Sequence, residues 1–64
     1  MTNSEVQQAF NEVWGWWKKY RDIQPVQETL DKMAQEGYEI IRKYRAAELV
    51  THMINDMERI LERR

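Results

Sequence analysis

Apolar side chains recur along the first third of the chain at Val6, Phe10, Val13, Trp14 and Trp17, and the row runs on to Arg21. Steps of three and four residues bring side chains to one face of an α-helix, so this stripe predicts a first helix over 4–21. Ser4 followed by Gln7 fits the capping-box spacing and marks its start. Lys18, Lys19 and Arg21 at the other end meet the carbonyl pole of the helix dipole. Asp22-Ile23-Gln24-Pro25 then interrupts the rhythm, and Pro25 suits the first position of a second helix, where its missing amide costs nothing.

Val26, Leu30, Met33, Gly37, Ile40, Ile41 and Tyr44 carry the next stripe and predict a helix over 25–44. No glycine or proline follows, yet the apolar rhythm changes phase. Leu49, Val50, Met53, Ile54, Met57, Ile60 and Leu61 do not continue the earlier series, and the charge order restarts with Glu48 early and Arg59, Arg63 and Arg64 late. A third helix over 47–63 accounts for both changes; the alternative is a long, bent second helix. The expected core is Phe10, Val13, Trp14, Trp17, Leu30, Met33, Ile40, Ile41, Val50, Met53, Ile54, Met57 and Leu61. Gly37 on the second stripe costs about 1 kcal/mol against alanine in a helix, which calls for a bulky neighbour such as Trp14 or Trp17 over the bare backbone. Gly15 lies on the opposite side of the first helix from that stripe.

The tetrads Lys18-Lys19-Tyr20-Arg21 and Arg42-Lys43-Tyr44-Arg45 resemble an internal repeat. Their flanks differ, and two helix C-termini using the same chemistry is the simpler account.

Composition narrows the class. Sixty-four residues make a single all-α domain over 1–64, a three-helix bundle near the lower size limit for folding alone. Ten Lys plus Arg against eleven Asp plus Glu nearly cancel, so no bulk attraction to nucleic acid or anionic lipid is built in. Apolar runs are short, Ile40-Ile41 and Leu49-Val50 being typical, and no segment reads as a membrane span or a signal peptide. The chain has no cysteine, hence no disulfide, no thiolate nucleophile and no cysteine metal site, which is compatible with a cytoplasmic setting.

Candidate chemistry is sparse. His52, the single histidine, stands one turn from Glu48 and one turn from Asp56, a row that could in principle hold a divalent metal. Such rows arise readily on a solvated helical face, so the expectation is no metal, no cofactor and no enzymatic activity. Neither glycine belongs to a phosphate-binding loop.

The segment Val13 to Tyr20 is the most informative. Trp16 falls with Ala9, Val13 and Tyr20 on a second stripe, rotated from the first, and one small bundle has only one interior to fill. The surplus points to a protein-interaction module that forms a homodimer, with Ala9, Trp16, Tyr20, Leu49, Met53 and Ile60 at the interface, or to a different protein partner. Lys18, Lys19, Arg42 and Arg45 interleaved with aromatics define the alternative, a small nucleic-acid binder, which the near-neutral charge disfavours.

The order Phe10, Trp14, Trp17-Lys18-Lys19-Tyr20, Asp22-Ile23, Lys43-Tyr44 and Met57-Glu58-Arg59-Ile60-Leu61-Glu62-Arg63 resembles short reading frames of Gram-positive bacteria and their prophages. That resemblance implies a small cytoplasmic protein of bacterial or mobile-element origin and brings no activity, ligand or site residue with it.

Overall fold

A computed structural model of the protein describes residues 1–24 and 26–63. Three helices follow one another: α1 (Asn3–Arg21), α2 (Gln27–Lys43) and α3 (Glu48–Glu62), and among the described residues there is no strand. Each helix packs on both of the others.

The start of α1 corrects the expected cap. Thr2, not Ser4, is the N-cap: its hydroxyl oxygen accepts from the Glu5 amide at 3.2 Å, and the Glu5 carboxylate accepts from the Thr2 amide at 3.1 Å. Thr-x-x-Glu holds the same spacing as Ser-x-x-Gln two residues earlier, and its carboxylate adds charge at the positive pole of the helix. The Thr2 amide in turn holds the Glu5 carboxyl below its usual range. At the far end, Lys18, Lys19 and Arg21 occupy the last turn as expected. Pro25 lies outside the described residues; the N-cap of α2 is Val26, extended at φ −83° and ψ 157°, whose carbonyl accepts from the Leu30 amide at 2.9 Å.

The phase change between the second and third stripes is a true break. The Ala46 amide donates back to the Ile41 carbonyl at 2.9 Å and the Arg45 amide to the Arg42 carbonyl at 3.0 Å, which together form a Schellman closure of α2. Arg45 and Ala46 both take left-handed conformations, φ 57° and 56°, in a place where glycine is the usual residue. The two recovered bonds satisfy carbonyls that the helix end would otherwise leave open.

The core is a set of straight seams: Ala9, Val13, Trp16 and Tyr20 from α1, Met33 and Gly37 from α2, and Val50, Ile54 and Leu61 from α3. Trp17, Leu30, Ile40, Ile41, Tyr44, Ala47, Met53 and Met57 pack against it half-buried. Two expected core residues are therefore outside it. Phe10 is 48% exposed and Trp14 is 53% exposed. The inward face of α1 is the second stripe, because that stripe places small Ala9 and the hydrogen-bonding indole of Trp16 toward the other helices. The Trp16 N–H donates to the Met33 carbonyl at 3.0 Å inside the bundle, a partner that buried indoles require.

Gly37 makes that contact possible. A Cβ there would lie 2.9 Å from Ile54 Cγ2, 3.0 Å from Glu58 Oε1 and 3.3 Å from Trp16 Cζ2. A bulky indole does cover the bare backbone, but it is that of Trp16 and not of Trp14 or Trp17.

Candidate interaction surfaces

Two ion pairs set the register of α1 on α2. Lys19 Nζ donates to Glu36 Oε1 at 2.6 Å, and Lys43 Nζ donates to Glu12 Oε1 two turns further along. The helices are antiparallel, so the two pairs have opposite polarity across the junction: lysine on α1 at one end, lysine on α2 at the other. Glu36 holds the Lys19 ammonium above its usual range. Burial acts to raise the Glu12 carboxyl, but the neighbouring Lys43 and Tyr44 outweigh it and the net shift is downward. The same carboxylate, helped by burial, pushes the Tyr44 phenol up to about 12.

The repeat seen in the tetrads is wider in three dimensions. Glu12 and Glu36, Trp14 and Tyr38, Lys18 and Arg42, Lys19 and Lys43, and Tyr20 and Tyr44 are each separated by 24 residues. They also repeat one another's contacts. Lys18 lies over the Trp14 ring as Arg42 lies over the Tyr38 ring, at 5.5 and 5.9 Å, and Lys19 stands over Tyr20 as Lys43 stands over Tyr44. The two cross-helix ion pairs exchange under the same correspondence. Helices α1 and α2 thus repeat these contacts across an antiparallel hairpin.

Between the two ion pairs runs an open groove of about 390 Å³, bordered by Glu12, Gly15 and Lys19 on α1 and by Glu36, Glu39 and Lys43 on α2, with Trp16 and Ile40 at its base. A Cβ on Gly15 would meet nothing within 4 Å.

A different face lies on the other flank of α1. Positions 12 and 19 face α2, and at 100° per residue Phe10, Trp14 and Trp17 fall on the side turned from it, toward α3. On α3, Ile54 and Glu58 stand over Gly37 of α2, so Leu49, Met53 and Ile60 fall on the flank toward α1. The two rows border one seam. Phe10, 48% exposed, and Trp14, 53% exposed, lie on the α1 flank, Leu49, 41% exposed, and Ile60, 53% exposed, on the α3 flank, and Trp17 and Met53 are half-buried.

This arrangement redistributes the residues expected at an interface. Ala9, Trp16 and Tyr20 are buried in the bundle, where α2 and α3 already cover them, and they present no surface to a second chain. Leu49, Met53 and Ile60 keep some exposure on the α1–α3 seam, and Phe10 and Trp14 join them in place of the α1 residues. One signal for that exchange was present in the chain itself: Trp14 and Lys18, and Tyr38 and Arg42, stand at the i, i+4 spacing that stacks a solvated cation on an exposed ring.

The basic residues divide between the two ends of the hairpin. Lys18 and Lys19 sit at the C-terminal end of α1, Arg42 and Arg45 at the C-terminal end of antiparallel α2, in a molecule 36 Å long and 17 by 15 Å across. Lys19 is engaged with Glu36, and Lys18 and Arg42 lie over rings. No continuous basic track joins the four. Glu48, His52 and Asp56 are exposed on α3, and among the described residues no three His, Asp or Glu side chains stand close enough to hold a metal ion. Among the same residues, no helix is long and apolar enough to cross a membrane.

On α3, sequence reasoning also passed over Glu58. Burial pushes its carboxyl above the usual range, with Glu62 adding to the shift. Comparison of the chain with protein-family models, with curated proteins and with solved structures finds no match.

Proposed function

We propose that this chain is a non-enzymatic helical interaction module that associates with a second copy of itself through the α1–α3 face. The observation that supports the reading is the row of Phe10, Trp14, Leu49 and Ile60 left open along that seam. Aromatic side chains carry about 150–250 Å² each, so the exposed halves of Phe10 and Trp14 contribute about 200 Å². Leu49, Ile60 and the edges of Trp17 and Met53 extend the patch to the few hundred Å² at which surface patches mark interaction sites. That area is of the order needed for the apolar part of a standard interface of about 800 Å² per partner.

A chain of this size gains from such burial. Its own core is small, and isologous pairing about a two-fold axis covers the same patch on both copies at once. A cytoplasmic setting belongs to this proposal, and so does the absence of catalysis: Glu12 and Glu36 are paired with lysines, and Glu48, His52 and Asp56 are spread over a solvated helix face.

Sedimentation equilibrium tests it. The wild-type chain is expected to pass from 7.9 kDa to at least twice that mass in the micromolar range, with little dependence on salt. Trp14→Glu combined with Ile60→Glu weakens that association at least tenfold while circular dichroism stays helical. A monomer at high micromolar concentration sinks the reading. So does steeply salt-dependent binding of mixed DNA or RNA, which would put phosphate contacts first.

A further inference from the structure

We infer that the α1–α2 groove is a second self-docking surface, on which a second copy lies with its two-fold axis parallel to the hairpin, α1 of each copy over α2 of the other. The inference goes beyond the α1–α3 contact and does not depend on it.

Charge complementarity carries the first half of the case. Rotation about an axis along the hairpin brings Lys19 over the second copy's Glu36 and Glu12 over the second copy's Lys43, at both ends and in both directions. Among these four groups no like charges meet. The lysines are more than half exposed and the glutamates about a third, so each lysine keeps donors open to a further partner. Four exposed charges that stay balanced within the chain and also match a rotated copy suit an isologous contact, in which one patch must complement itself.

Gly15 carries the second half. Glycine inside a helix costs about 1 kcal/mol relative to alanine, and at Gly37 the close packing of Trp16, Ile54 and Glu58 accounts for it. At Gly15 nothing in the chain comes within 4 Å of a Cβ, so no internal contact requires the glycine. An axis along the hairpin brings the second copy's Glu39 against this gap, within one turn of both Lys19 and Glu12. An axis across the hairpin would instead set Glu39 on its own copy, a like-charge contact, and the gap selects the first arrangement. Half-buried Ile40 at the groove base supplies the apolar centre.

Gly15→Leu tests the assignment because its Cβ would meet nothing within 4 Å in the single chain. Three variants are compared by sedimentation equilibrium: Gly15→Leu, Trp14→Glu/Ile60→Glu, and the three substitutions together. The α1–α3 double variant is expected to keep a residual self-association, and adding Gly15→Leu lowers it at least tenfold while helical circular dichroism and a cooperative melt persist. As a second readout, mixed ¹⁴N and ¹⁵N chains treated with a carbodiimide are expected to give isotopically mixed Lys19–Glu36 cross-links in the double variant. The inference is overturned if the double variant is monomeric throughout, which leaves the α1–α3 face as the sole contact. It is equally overturned if Gly15→Leu changes no association and mixed cross-links are absent. Association lost with Gly15→Leu but unmoved by Trp14→Glu/Ile60→Glu upholds the groove and overturns the α1–α3 reading instead.

Discussion

The indole N–H of Trp16 on α1 donates to the main-chain carbonyl of Met33 on α2 at 3.0 Å, one turn before Gly37, whose missing side chain leaves room for the ring. That carbonyl belongs to the helix ladder, and the indole takes its second lone pair. The bond and the bare backbone fix the approach of the two helices here, because the ring can come close only where no side chain intervenes.

Gly37→Ala therefore sets two effects against each other. Alanine gains up to about 1 kcal/mol of helix propensity, but its methyl would stand 2.9 Å from Ile54 Cγ2 and 3.3 Å from the Trp16 ring, and overpacking of this kind costs about 1–3 kcal/mol. The expected net is a loss. Gly15→Ala has no such opposition and is expected to stabilise the dilute chain by about 0.5–1 kcal/mol. Urea denaturation of the pair checks both signs; equal effects would mean that Gly37 is not a contact residue.

Helix number and the C-terminal ends of α1 and α2 were legible because they rest on local chemistry, whereas the cap of α1 fell on Thr2 and not on Ser4. The phase change after Tyr44 separated α2 from α3, and cations at Lys18–Arg21 and Arg42–Lys43 marked the carbonyl poles. The choice of face on α1 was not legible from apolar content. Two stripes of nearly equal hydrophobicity run along that helix, and what decides between them is a fit across 17 residues of chain, from Trp16 to Met33. The interface residues inherited that error: with Trp16 and Tyr20 turned inward, Phe10 and Trp14 face out. The groove was hidden for a similar reason, since the meaning of Gly15 depends on what stands opposite it.

The turn between α2 and α3 stores removable strain. Arg45 holds φ 57° at the position of a Schellman closure that glycine usually fills, and a left-handed conformation costs an ordinary residue about 1–2 kcal/mol. Arg45→Gly relieves that cost but adds freedom to the unfolded chain, which leaves an expected gain of about 0.5–1 kcal/mol. A thermal melt that falls rather than rises would mean the arginine side chain is needed in the turn.

Glu58 makes stability depend on pH in the opposite direction from Glu12. Burial raises the folded-state pKa of Glu58 above its unfolded value, so its contribution is most favourable below the unfolded pKa and is lost as pH rises through the folded one. Glu12, held below its ordinary value, contributes stability above the unfolded pKa that is lost as pH falls through the folded one. Glu58→Gln removes only the first effect. The variant is expected to be more stable than wild type at neutral pH, and the difference should close as the pH drops below the ordinary glutamate value of about 4.3. A difference that stays constant over that range would assign the gain to packing rather than to the charge.

Tryptophan substitutions give the most direct check on which face of α1 is buried. Trp16→Ala empties a site enclosed by three helices and removes the bond to Met33, a change expected to cost about 3–5 kcal/mol. Trp14→Ala removes a half-exposed ring and the Lys18 contact over it, worth about 0.5–1 kcal/mol at an exposed site. Emission should follow the same order: Trp14→Phe, by removing the solvated indole, shifts the remaining fluorescence to the blue and lowers its quenching by acrylamide. The cost of Trp14→Ala should also grow with protein concentration, because a ring covered by a second chain stabilises the fold through association. Equal costs for Trp14→Ala and Trp16→Ala in dilute solution would return both rings to the core and remove the exposed α1–α3 row on which self-association rests.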